Sequence, residues 1–140
     1  MKNTEDCVNI YLVSSENGKN KSELSAKGGF YKKNGAYYIT YIEHEASGMG
    51  NSHVILKVRD NTVTMRRMGE YNTVIAYIPG EETEFYYNTP FGKMKLKIRT
   101  VGVENRLSEE GGALKIFYTL LPEESENTVS VIIEQRRDNI

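Results

Sequence analysis

Apolar and polar residues alternate with a period of two along almost the whole chain, in short runs rich in Val, Ile, Thr and Tyr. That period puts successive side chains on opposite faces of a pleated strand, one face buried and the other wet. The runs predict strands near residues 5–14, 24–33, 36–45, 52–59, 62–69, 72–78, 82–89, 92–104, 112–121 and 127–136. Between them lie short polar breaks. Asn34-Gly35, Asp60-Asn61 and Pro79-Gly80 are tight-turn dipeptides, because Asn, Asp and Gly tolerate positive φ and Pro pre-sets the first corner of a turn. Neighbouring strands are therefore expected to pair as antiparallel hairpins. No apolar stretch keeps helical spacing over a useful length, and residues 104–111 (ENRLSEEG) offer at most one helical turn.

An open sheet of about ten such strands would present long edges that invite aggregation, so the strands must close on themselves or stack as two sheets. Sequential hairpins favour closure, since a Greek-key sandwich needs longer crossing connections. The expected fold is all-β: a single antiparallel up-and-down β-barrel of about 8–10 strands, with residues 1–140 forming one domain. A barrel of that strand number is wide enough inside for side chains or for one small ligand.

Strand phase then says which side chains face the axis. In KMKLKIRT, Lys93, Lys95, Lys97 and Arg99 alternate with Met94, Leu96, Ile98 and Thr100, so the basic set is read as a solvated outer face and the second set as core. Leu114, Ile116, Tyr118 and Leu120 share one face, as do Val129, Val131 and Ile133, and Val54, Leu56 and Val58. Two rows break the expected polarity. Val63 and Met65 are in phase with Arg67, and Tyr37, Ile39 and Tyr41 continue into Glu43. A buried guanidinium costs several kcal/mol unless a carboxylate and hydrogen bonds compensate, so an Arg67 to Glu43 pair across the interior is expected. Phe85, Tyr87 and Thr89 add a phenol and a hydroxyl to the same lining. The candidate site is therefore Arg67, Glu43, Tyr41, Tyr87, Thr89 and Tyr118. Its two readings are a self-satisfied structural network that fixes strand register, or one polar end of a ligand pocket in which Arg67 anchors an anionic group.

Composition narrows the alternatives. Eighteen Lys and Arg against nineteen Asp and Glu leave a formal charge of -1, which supplies no field for nucleic acid or an anionic membrane. The single Cys7 forms no internal disulfide or multi-cysteine metal site and agrees with a reducing compartment. The start, MKNTEDCVNIYLV, lacks a long apolar segment, and nowhere do about 18 apolar residues run together. A cytoplasmic protein with no membrane partner is expected. Nucleophilic catalysis has no motif here: His44 and His53 lie on separate strands, and Cys7 has no basic neighbour in sequence. The acid pairs Glu43/Glu45 and Glu82/Glu84 are spaced for one strand face rather than for an acid and base. The stretch Ser47-Gly48-Met49-Gly50-Asn51 lacks the Lys-Ser/Thr ending of a phosphate-binding loop and is read as a hairpin loop at the barrel mouth. No enzyme activity, metal or cofactor is expected.

The succession Tyr41-Ile42-Glu43, Met65-Arg66-Arg67-Met68-Gly69 and Tyr87-Asn88-Thr89-Pro90-Phe91-Gly92, followed by Thr100, Gly112 and Tyr118, resembles the YwiB-like uncharacterised bacterial β-barrel family. The resemblance covers nearly the whole chain, with the T-P-F-G turn as its most distinctive motif. It implies a calycin-like barrel, similar in architecture to lipocalins and fatty-acid-binding proteins, from a bacterial cytoplasm. It implies no established activity, cofactor or substrate. Taken with the inward cluster, the expected function is non-enzymatic binding of a small, partly apolar, anionic ligand inside the barrel, with a small hydrophobic or anionic molecule as the expected partner. The alternative is a structural or protein-interaction barrel with a filled interior.

Overall fold

Strands form where the alternation lies, and they pair in the order in which the chain presents them. The computed structural model describes residues 6–43 and 51–135. It contains β1 (Asp6–Glu16), β2 (Lys19–Lys33), β3 (Ala36–Glu43), β4 (Ser52–Arg59), β5 (Thr62–Gly69), β6 (Thr73–Tyr77), β7 (Glu82–Thr89), β8 (Gly92–Ser108), β9 (Gly111–Leu121) and β10 (Ser125–Gln135). All belong to one antiparallel sheet in the order β6-β5-β4-β3-β2-β1-β10-β9-β8-β7. The β1/β10 ladder, from Val8 opposite Gln135 to Glu16 opposite Asn127, joins the two ends of the chain. The result is an up-and-down barrel with β6 and β7 at the two ends of the strand order.

The seam between them is stitched rather than laddered. Asn72 and Asn88 exchange two backbone hydrogen bonds of 2.9 Å. Beyond them the hydroxyl of Thr73 donates to the Tyr86 carbonyl and that of Thr83 to the Ala76 carbonyl, each at 2.8 Å. Threonine serves here because a side-chain donor spans a gap that the backbone leaves too wide for its own ladder.

β1, β2 and β8 run past the ends that the alternation predicts. β1 and β2 meet at Asn17-Gly18, both with positive φ (51° and 83°), the geometry of a tight two-residue hairpin. Residues 104–108 are strand, not a helical turn, and Glu109 and Glu110 make the reversal into β9. In an up-and-down barrel the connections after β1, β3, β5, β7 and β9 share one end, called upper here, and the rest share the lower end. Val8, Ile10, Phe30, Ile39, Val58, Val63, Leu114 and Ile133 fill the lower half as solid apolar core.

The wall parts in one further place. Pairing between β2 and β3 begins only at Gly29 opposite Thr40, so residues 19–28 of β2 pair with β1 alone. Gly28 marks the point of divergence: a Cβ there would run into the Thr40 carbonyl oxygen, so only glycine lets the two strands approach before they separate.

Thr100 carries a buried defect. It lies at a register shift in β8, is 0% exposed, and its Oγ1 has no hydrogen-bond partner among the described residues. Its backbone is satisfied, because its N–H donates to Glu81 and its carbonyl accepts from Gly80. Thr100→Val keeps the shape and removes the unpaired oxygen, so it is expected to raise stability by about 1 kcal/mol. Chemical denaturation checks this, with a rise in midpoint at unchanged slope as the expected result.

Candidate functional site

Above the solid core, the barrel interior opens into a cavity of about 700 Å³. Its walls are mostly apolar, with Leu56, Met65, Ile75, Phe85, Ile98 and Ile116 prominent among them. Its polar members include Tyr41 and Glu43 from β3, Arg67 from β5, Tyr77 from β6, Tyr87 from β7 and Tyr118 from β9, with Ser14 and Ser15 of β1 and Asn127 of β10. Exposed Lys21, Ser22 and Glu23 also line it, so the cavity meets solvent along the upper part of β2, where the wall between β2 and β3 is parted.

Arg67 faces the axis, as its phase with Val63 and Met65 requires, and is 9% exposed. Its Nε donates to Glu43 Oε1 at 2.9 Å and its Nη2 to Glu43 Oε2 at 3.1 Å, a two-pronged pairing with a carboxylate that is itself 8% exposed. Nη1 donates to the Tyr87 hydroxyl at 2.7 Å, and the guanidinium carbon lies 5.9 Å from the centre of the same ring. Burial works against the Arg67 charge. The hydrogen bonds that Arg67 donates to Glu43, with the electrostatic pull of Tyr87, Glu43 and Tyr41, outweigh burial, and the guanidinium pKa stands above its ordinary value. The charges of the pair cancel, which is what permits both to leave water.

The tyrosines surround this pair. Burial pushes the Tyr41 hydroxyl well above the usual phenol range, helped by the Glu43 carboxylate and partly offset by Arg67. Tyr77 is raised in the same way, with Tyr118 adding to the effect, and the two rings lie 5.4 Å apart. Tyr87 and Tyr118 are also raised, burial being the main cause for each. All four remain neutral phenols across the physiological range. No described residue hydrogen-bonds the hydroxyl of Tyr41, Tyr77 or Tyr118, although Tyr41 and Tyr77 are each only 5% exposed.

The structure brings together five of the six residues picked from the sequence. Thr89 is the exception. It follows Phe85 and Tyr87 in phase, but at the last position of β7 its hydroxyl donates to the Gly92 carbonyl at 2.9 Å and accepts from the Phe91 N–H at 3.0 Å. The backbone of the T-P-F-G turn claims it, and the cavity does not. Tyr77 was missed, although the signal was present: Thr73, Ile75 and Tyr77 form an inward row in TVIAY. Met94, expected in the core, is exposed at the upper end of β8 because the strand there rises past the packed interior.

The basic stripe of β8 is a solvated face, laced to β7 by Lys95 with Glu84 (3.4 Å) and Arg99 with Glu82 (3.3 Å). His53 and Cys7 are exposed on the outside. His44, Glu45 and residues 47–50 of the glycine-containing loop lie outside the described residues. Among the described residues no three His, Cys, Asp or Glu side chains converge as a metal ion would require.

Comparison with known proteins agrees with this architecture. Residues 9–132 match the model of a family described as "Domain of unknown function (DUF1934)". The "Uncharacterized beta-barrel protein YwiB" of Bacillus subtilis (strain 168) is 26% identical over 109 residues, covering 78% of this chain and 75% of that protein. The crystal structure of the ywiB protein from Bacillus subtilis superposes with a TM-score of 0.79 at 24% identity, over 96% of this chain and 93% of that one. The likeness of structure establishes the barrel, and the resemblance to the YwiB-like family holds.

Proposed function

The chain belongs to the DUF1934 family, a domain of unknown function, and from that premise we propose that it is a non-enzymatic binder of a small, partly apolar molecule held inside the barrel. The observation that carries this reading is the cavity of about 700 Å³ above the core, apolar over most of its wall and polar at Arg67, Glu43 and the tyrosines. Binding sites for small molecules have this size and this mixture: apolar surface for affinity, with a few convergent polar groups for orientation. Likeness to calycin carriers adds only an analogy of architecture.

Glu43 is a poor acid or base in this state, because both of its oxygens are engaged by Arg67. That favours a binder over a catalyst. An anionic head group on the ligand finds less support than an apolar body, since Glu43 already fills the guanidinium fork. The balanced surface charge and the lone exposed Cys7 favour a cytoplasmic setting without nucleic-acid or membrane partners.

Native mass spectrometry of freshly purified protein tests the reading. The expected result is a fraction of the protein carrying a small molecule that denaturation releases. Repeated absence of such a species, with no thermal shift from alkyl or aryl compounds, favours instead a structural or interaction barrel.

A further inference from the structure

The buried part of the cavity holds one positive and one negative side chain in contact with each other, and around them hydroxyls that the protein leaves unmatched. This asymmetry specifies a head group. Three of the five N–H donors of Arg67 are spent, two on Glu43 and one on Tyr87. The other charged groups in the lining, Lys21 and Glu23, are exposed at the mouth, and Lys21 is paired with Glu16 at 2.9 Å. The buried lining therefore carries no net charge. An ionised ligand would bring a bare charge into that environment, a cost that only a free countercharge offsets.

Donors, by contrast, are in surplus. The hydroxyls of Tyr41 and Tyr77 belong to side chains at least nine-tenths buried and line the cavity, and no described residue hydrogen-bonds either of them. The rings are buried, but neither hydroxyl oxygen is sealed off, since among the described residues only Thr100 Oγ1 is a buried oxygen without a partner; both hydroxyls open onto the cavity and can donate to what enters it. Tyr118, whose ring lies against that of Tyr77, adds a third. The Glu43 carboxylate, the charged acceptor near Tyr41, is turned to the arginine.

Resting on the reading of the barrel as an interior binder, we propose that its ligand presents an uncharged hydrogen-bond acceptor, a carbonyl or ether oxygen on an apolar body, to the Tyr41 and Tyr77 hydroxyls. A carboxylate, phosphate or ammonium head is selected against by the neutralised Arg67–Glu43 pair. Glu43 acts as a built-in occupant of the anion site: it fills the fork that a ligand carboxylate would otherwise take.

Isothermal titration with three probes of equal chain length, decan-2-one, decanoate and decylammonium, tests this. The ketone is expected to bind about tenfold or more tighter than either ion. Glu43→Gln, which keeps a hydrogen-bonding partner for Arg67 but releases its charge, should tighten decanoate about tenfold or more and leave the ketone within a few-fold. Tyr41→Phe and Tyr77→Phe each remove an unmatched hydroxyl, so they should weaken the ketone about fivefold without lowering the unfolding midpoint. Decanoate binding as tightly as the ketone in the unaltered protein overturns the head-group assignment and leaves the interior-binder reading standing. Failure of all three probes to bind, with no small molecule released from the purified protein, overturns that reading and the assignment with it.

Discussion

Arg67→Met is expected to lower the stability of the folded protein by about 3–5 kcal/mol, the range for a buried ion pair that loses one partner. The methionine fills much of the volume, so the loss is electrostatic: Glu43, 8% exposed and held through both oxygens by Arg67, is left as an uncompensated carboxylate in an apolar tube. Tyr87 also loses the donor to its hydroxyl at 2.7 Å. Denaturant unfolding followed by circular dichroism reads the effect as a lowered midpoint. The double change Arg67→Met with Glu43→Gln removes the stranded charge and should recover well over half of the loss, because a neutral pair in the interior is far cheaper to bury than a lone ion. A single substitution that unfolds at the same midpoint as the unaltered protein would mean that the pair contributes nothing net, and that register is held by the apolar rows alone.

Which parts of this arrangement could be read from residues alone follows from where each residue sits between core and solvent. Arg67 and Glu43 were legible because each ends a row of strictly alternating apolar residues, Val63 and Met65 in one case and Ile39 and Tyr41 in the other. Period two fixes facing wherever one face is buried. The same rule fails where a strand climbs past the packed interior. Residues 15–23 (SENGKNKSE) are polar on both faces because this part of the β1/β2 hairpin rises above the core. Alternation vanishes there, and only the Asn17-Gly18 dipeptide remains to show the turn. Residues 104–108 are strand for a related reason. Leu107 supplies a partly buried apolar contact, and the ladder to β9 holds the rest. Thr89 shows the opposite failure. Its phase was right and its role wrong, since at the end of a strand a hydroxyl within reach of a turn's backbone is captured by it. The parting of β2 from β3 had no sequence signal beyond Gly28-Gly29, and it is what gives the cavity its opening.

Raising the pH should unfold the protein through its interior phenols. Burial lifts the pKa of Tyr41, Tyr77, Tyr87 and Tyr118 in the folded state, whereas in the unfolded chain a tyrosine ionises near pH 10. Below that pH both states hold the protons, and stability does not depend on these groups. Above it the unfolded chain releases protons that the folded one retains, so stability falls as pH rises, by up to about 1.4 kcal/mol per pH unit for each tyrosine that stays protonated. With four such groups the fold should be lost abruptly within about one to two pH units above 10. The chain is well suited to the measurement, having ten tyrosines and no tryptophan. Near-ultraviolet absorbance then reports phenolate formation without interference, while far-ultraviolet circular dichroism reports the sheet. The expected record is a cooperative rise in phenolate absorbance that coincides with loss of the β signal, contributed by the four interior rings. Replacing Tyr77 by Phe should shift that transition to higher pH, because one proton fewer drives it. If all ten rings ionise in one smooth wave with the sheet intact, water and hydroxide reach the cavity freely, and the interior is wetter than the burial of Tyr41 and Tyr77 implies.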